Sequence, residues 1–226
     1  MHLCSTRRPE MPVFLLYDDI SFPPPHLAEK DGLLAVGGDL GEKRILRAYA
    51  MGIFPWFTEG SPILWWSPDP RLVLFPDELK VSRSLRQCMN KGDFTITVNT
   101  AFEQVIRTCA GIRRKGQSGT WITREMQDAY IGLHHAGHAL SVEAWDSGRL
   151  VGGLYGILMG KVFFGESMFA LKSNASKAAF VTFVEQLREK GFSLIDCQMR
   201  TEHLISLGAR EIPRTAYLDI LQQALP

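Results

Sequence analysis

Between Ala139 and Phe169 the chain carries three apolar segments separated by two tight-turn signals, and this stretch limits the fold more than any other. Ser141–Trp145, Leu150–Leu158 and Val162–Met168 read as strands, with Asp146-Ser147-Gly148 and Gly160-Lys161 as the turns between them. Turns this short join only antiparallel neighbours. The run from Val151 to Met159 is interrupted by glycines and falls far short of the ~20 apolar residues a membrane helix needs. On the N-terminal side, helical spacing places Met126, Ala129, Tyr130 and Leu133 on one face after Thr123, with Gly137 as the stop. On the C-terminal side, after Ser173, Ala179, Phe180, Phe183 and Leu187 share a helix closed by Gly191, and Phe192–Met199 reads as a further strand.

The order helix, three antiparallel strands, helix, strand is an α+β arrangement that matches the centre of an acetyltransferase-like (GNAT) fold. Upstream, Phe94, Ile96 and Val98 alternate as in a strand, and Asn99 or Thr100 is placed to cap a helix carrying Phe102, Val105, Ile106 and Cys109. Residues before this are different in kind. Pro55, Pro62, Pro68 and Pro70 stand among Trp56, Trp65 and Trp66, so no long regular element fits there. One helix is expected after Asp39 or Gly41, carrying Ile45, Leu46, Tyr49 and Ala50 and ending at Gly52. The reading is a small loop-rich N-terminal domain over residues 1–69 and a GNAT-like catalytic domain over 70–226, joined near Pro68–Arg71. A length of 226 residues allows this division.

Four scattered cysteines with no CxxC pair, and no Cys/His cluster at zinc spacing, point to reduced thiols and no metal. No secretory signal is evident, so a cytoplasmic protein is expected. The net charge of +1 hides an asymmetry: Lys80 to Arg124 holds nine basic residues against Asp93 and Glu103, a local +7 that leaves −6 elsewhere. One basic segment on a near-neutral chain suggests a polyanion met on one face.

Two places carry polar groups where apolar ones are the rule. In Phe192–Met199, alternation puts Asp196 and Gln198 on one face behind Phe192 and Leu194. Partly buried polar groups need partners, and the Gln198 amide donating to Asp196 satisfies both; a structural pair and a catalytic one look alike at this spacing. Glu166 lies within VFFGESMF, where a carboxylate is costly unless it meets a cation or stands in water at a sheet edge. Leu154, Phe163, Phe164, Met168 and Phe169 are candidates for an apolar pocket or for plain core.

Nine motifs then fall in order along the chain. They are AVGGDL (Ala35–Leu40), GIFPWF (Gly52–Phe57), LWWSPDPR (Leu64–Arg71), GTWIT (Gly119–Thr123), LVGGLYG (Leu150–Gly156), GESMF (Gly165–Phe169), NASK (Asn174–Lys177), DCQ (Asp196–Gln198) and SLGA (Ser206–Ala209). Together they resemble the leucyl/phenylalanyl-tRNA–protein transferases, from about Phe22 to Leu221. The resemblance implies transfer of Leu, Phe or Met from aminoacyl-tRNA to proteins beginning with Arg or Lys, marking them for degradation by the N-degron route. It implies Asp196 and Gln198 as the catalytic pair and Glu166 as a holder of the acceptor N-terminus. It sets Trp56 and Trp121 around the aminoacyl-adenosine end, and Leu154, Phe163 and Phe183 around the transferred side chain.

The aminoacyl ester is already activated, so no cofactor is expected. The basic segment then has tRNA as its polyanion, with Arg83, Arg86, Lys91, Arg113, Arg114 and Lys115 as candidate phosphate contacts. Asp196→Asn is expected to leave the fold intact and remove activity. The competing enzyme reading is an acetyl-CoA-dependent N-acetyltransferase. It is disfavoured because FALKSNASK lacks the glycines of a pyrophosphate-cradling turn. A non-catalytic RNA-binding module, stacking bases on Trp56, Trp65 and Trp66, leaves Glu166 and the Asp196/Gln198 pair unexplained.

Overall fold

The computed structural model describes residues 13–112 and 120–226. Arg113, Arg114 and Lys115 therefore lie outside the described residues. The chain begins with β1 (Phe14–Leu16), β2 (Leu33–Gly37), α1 (Glu42–Ala50), β3 (Phe54–Pro55) and β4 (Leu64–Trp66). The four strands form a small sheet in the order β1-β2-β4-β3. α1 starts after Gly41 as its spacing predicts, and Gly52, at φ +72°, turns the chain away from it. β5 (Arg71–Leu74) follows, then α2 (Arg83–Asn90), β6 (Thr95–Val98), α3 (Phe102–Gly111) and α4 (Arg124–His135). The predicted meander is β7 (Ala139–Asp146), β8 (Arg149–Met159) and β9 (Val162–Ala170). The chain closes with α5 (Ala175–Glu189), β10 (Leu194–Gln198), α6 (Glu202–Ile205), β11 (Arg210–Ile212) and α7 (Arg214–Ala224).

Seven strands make the large sheet, ordered β11-β5-β10-β9-β8-β7-β6. Within this sheet, among the described residues, only β9 and β10 pair in parallel, and α5 is the crossover that a parallel pair requires. One core layer joins Ile45, Tyr49, Val105, Tyr130 and Tyr217 with Leu34 and Trp65, so the apolar interior of the small sheet continues into that of the large one. The other layer sets Ala179, Phe180, Phe183 and Leu187 of α5, with Leu85 of α2, against the sheet. The motif LVGGLYG has a steric cause here. A Cβ on Gly152 would stand 2.6 Å from that of Ala175, where α5 begins, and one on Gly156 would stand 2.1 Å from the Phe164 carbonyl oxygen.

Three sequence expectations need correction. Arg71, read as linker, opens β5, which inserts between β10 and β11. The cap of α3 is Ala101 rather than Asn99 or Thr100. Both alternatives are engaged elsewhere: Asn99 Oδ1 accepts the Ser141 N–H, and the Thr100 hydroxyl donates to the buried carboxylate of Glu143. Asp196 and Gln198 do not continue one strand face, because β10 carries an irregularity between them.

Candidate active site

β9 and β10 pair through Val162–Leu194, Phe163–Ile195 and Phe164–Asp196, and the ladder goes no further. Each strand is bulged just beyond that point. On β9, Gly165 and Ser167 face Gly156 and Tyr155 of β8, so Glu166 is the extra residue. On β10, Asp196 and Gln198 face Val73 and Leu72 of β5, so Cys197 is the extra one, and Gln198 sits at φ +60°. Bulges bend strands and re-aim side chains. Residues from both diverging strands wall a cavity of about 570 Å³.

Trp56 and Trp121 line this cavity, as do Leu154 and Phe163, so four of the side chains singled out for the donor border one space. Phe183 does not. It packs edge-on against the Phe163 ring at 4.9 Å between centroids, and Phe180, one turn earlier on α5, lines the wall in its place. Phe164, also considered for the pocket, faces away and meets the Tyr49 ring at 5.1 Å.

Glu166 and Gln198 also border the cavity. Glu166 Oε1 accepts hydrogen bonds from the Tyr49 hydroxyl at 2.6 Å and the Gln198 side-chain amide at 2.7 Å. The Tyr130 hydroxyl lies 2.5 Å from that of Tyr49, extending the chain of polar groups to α4. Burial away from water is the largest influence on Glu166 and raises its pKa to about 7, against the lowering effect of these donors. Burial and the neighbouring carboxylate push the Tyr49 and Tyr130 hydroxyls well above the usual phenol range. Neither tyrosine was legible as a site residue, because each fits the apolar face of its helix.

Asp196 is fully buried and does not border the cavity. Its two oxygens take a two-pronged contact from Arg71, Nε at 2.8 Å and Nη2 at 2.7 Å. Oδ2 also accepts the Tyr217 hydroxyl at 2.8 Å. Toward Gln198 it accepts only the backbone N–H, at 2.9 Å. The expected bond from the Gln198 side chain to Asp196 is therefore replaced by one to Glu166. The Arg71 guanidinium lies over the rings of Phe54 and Tyr217, 4.7 and 4.8 Å from their centroids.

Arg200 and His203 line the cavity beyond the end of β10, and neither was singled out from the sequence. Burial, reinforced by Lys177, lowers the His203 pKa. Arg83, Arg86 and Lys91 are exposed on and just after α2, with Arg86 paired to Glu185 at 2.8 Å. Among the described residues no group of three His, Cys, Asp or Glu side chains is placed to hold a metal ion.

Residues 73–222 match the family described as leucyl/phenylalanyl-tRNA protein transferase, and residues 38–69 match its N-terminal domain. The chain belongs to the leucyl/phenylalanyl-tRNA protein transferase family. Two curated members show how much of the chain is shared. A leucyl/phenylalanyl-tRNA–protein transferase of Syntrophobacter fumaroxidans is 57% identical over 216 residues, covering 96% of this chain and 92% of that one. One from Stutzerimonas stutzeri is 59% identical over 217 residues, covering 95% and 96%. Among solved structures, L-PGS from Bacillus licheniformis aligns at 12% identity with a TM-score of 0.46, covering 86% of this chain and 71% of that one. A GCN5-related N-acetyltransferase from Kribbella flavida aligns at 15% identity with a TM-score of 0.35, covering 72% and 58%. For this family member, then, relatedness extends over nearly the whole chain and includes every element that borders the cavity.

Proposed function

We propose that this protein transfers Leu, Phe or Met from aminoacyl-tRNA to the α-amine of proteins beginning with Arg or Lys, marking them for N-degron degradation in the cytoplasm. The observation that carries the reading is the cavity's chemistry. An apolar and aromatic wall suits a Leu, Phe or Met side chain, and the same space ends at a buried carboxylate with which no Lys or Arg among the described residues pairs. Its volume of about 570 Å³ falls within the usual range for small-molecule sites.

In this reading Trp56 and Trp121 flank the terminal adenosine, and Leu154, Phe163 and Phe180 hold the aminoacyl side chain. Phe183 supports Phe163 from behind. Residues 70–226 act as the GNAT-like catalytic domain, and residues 1–69 contribute Phe54 and Trp56 to its cavity. Gln198 and Glu166 receive the acceptor's α-ammonium. Asp196 contributes by fixing Gln198, while Arg83, Arg86 and Lys91, with Arg113, Arg114 and Lys115, meet tRNA phosphates. Enclosing ester and amine in one cavity makes their reaction effectively unimolecular, a large part of any such acceleration.

The test is incubation of the purified protein with labelled Phe-tRNA and an acceptor beginning with Arg. Label appearing in the acceptor is expected. Binding of tRNA without transfer, or modification that needs acetyl-CoA, would overturn the reading.

A further inference from the structure

The polar floor of the cavity contains two carboxylates in very different situations. Asp196 has its oxygens taken by Arg71, Tyr217 and the Gln198 backbone. It lies behind the wall, beside a guanidinium that keeps it paired. It has neither a route to an incoming amine nor a side-chain contact through which to polarise the Gln198 amide. Glu166 differs on each point. It borders the cavity, it holds the Gln198 side-chain amide, and no Lys or Arg among the described residues pairs with it. Its Oε1 carries both hydrogen bonds, while Oε2, also buried, accepts none from the described residues.

Because Gln198 gives its N–H to Glu166, its own side-chain carbonyl is the group left for an acceptor N–H. We propose that Glu166 is the proton acceptor for the incoming α-amine, and that Asp196 is a positioning residue acting through the Gln198 backbone. This rests on the transferase reading above and specifies its chemistry. The α-ammonium donates one hydrogen bond to Gln198 Oε1 and gives one proton to the Glu166 carboxylate. The freed lone pair attacks the ester carbonyl carbon, forming the C–N bond as the carbonyl π pair moves to oxygen. On collapse the C–O bond breaks and its electron pair leaves on the ribose oxygen. That oxygen takes a second proton from the nitrogen, the third hydrogen stays on the new amide, and Glu166 releases its proton to solvent.

The groups around Glu166 fit that duty. Tyr49 on α1 and Tyr130 on α4 favour its charged form through their hydroxyls, and Asp196 on β10 opposes it. Tyr155 and Cys197 complete the near wall, with His203 and Arg200 on the cavity wall beyond β10. A carboxylate poised near neutral pH suits a general base working at that pH.

The experiment measures kcat at saturating acceptor across pH for wild type, Glu166→Gln and Tyr49→Phe. At pH ~7 an α-amine of pKa about 7.7–8.0 is mostly protonated, and at pH ~9.5 it is neutral without help. Glu166→Gln should therefore lose about 10²-fold in kcat near pH 7 and recover to within about threefold near pH 9.5. Tyr49→Phe removes a hydrogen bond that favours the carboxylate, so the acid limb of kcat should move up by about one pH unit. A loss confined to acceptor KM would make Glu166 an anchor only. An equal kcat loss at every pH would make it architectural, and an unmoved limb in Tyr49→Phe would remove it from the titration. Each of these overturns the proposal. Absence of transfer by wild type refutes instead the transferase reading on which it rests.

Discussion

Gln198 faces two carboxylates through different parts of itself, its side-chain amide going to Glu166 at 2.7 Å and its backbone N–H to Asp196 at 2.9 Å. The two acids are therefore separable by experiment. One contact holds the reactive end of the side chain, and the other fixes the backbone that carries it.

Asp196→Asn should destabilise the protein as well as inactivate it, contrary to the expectation from sequence. The substitution leaves the buried Arg71 charge without its anion, a loss on the order of 3–5 kcal/mol. Combining it with Arg71→Met should restore most of that stability while activity stays low. Urea unfolding of the two single variants and the double variant measures the coupling. A stable Asp196→Asn protein would show that the buried pair does little for the fold.

Glu166→Gln should change how stability depends on pH. The Glu166 pKa is raised in the folded protein from the ordinary 4.5 to about 7. Its contribution is thus fully present below the unfolded value and is lost as pH rises through the folded one. Between pH ~5 and ~8 wild type should lose on the order of 3 kcal/mol that the Gln variant keeps. Denaturation curves at those two pH values decide it, and parallel behaviour of the two proteins would place the raised pKa elsewhere.

Gly165→Ala should fold and should shift donor choice. Its new Cβ would lie 3.6 Å from the Asp196 carbonyl oxygen and 3.7 Å from the Phe163 ring, which is ordinary contact. The added methyl narrows the cavity where β9 and β10 part. The ratio of Phe to Leu transfer should fall about tenfold, the scale set by one methylene in an apolar pocket. The check is kcat/KM with each aminoacyl-tRNA, and an unchanged ratio would locate the side-chain pocket further from Gly165.

Replacing Arg83, Arg86 and Lys91 together by Ala should flatten the salt dependence of tRNA binding. Each phosphate neutralised adds a nearly fixed increment to the slope of log K against log salt, so three lost contacts lower it by about 2–3 units. Titration between low and moderate salt reads the slope. If it does not move, α2 is not on the tRNA side of the protein.

The sequence was most legible where one physical signal acted alone. Alternation and tight turns defined β7 to β9, and α4 begins after Thr123 as read. The cavity wall was half legible, since Leu154 and Phe163 stand out within strands while Phe180 and Phe183 are equivalent on a helix with nine buried residues. The polar floor was the least legible part. Strict alternation predicts shared faces, and two bulges break it at Glu166 and Cys197. The partners of the two acids come from α1, β5 and α7, segments whose patterns give no hint that Tyr49, Arg71 and Tyr217 point at a carboxylate.

Those partners have a consequence for how the protein is made. Tyr49 reaches Glu166 across 117 residues of sequence and Arg71 reaches Asp196 across 125. Contacts of such separation form late, after local strands and helices are in place. While the chain is still emerging from the ribosome, β9 precedes β10, and β10 precedes α7. Until β10 has joined the sheet, Glu166 has no Gln198 beside it. The polar floor of the cavity is therefore assembled only when segments far apart in sequence have met, so a chain lacking β10 has no complete site.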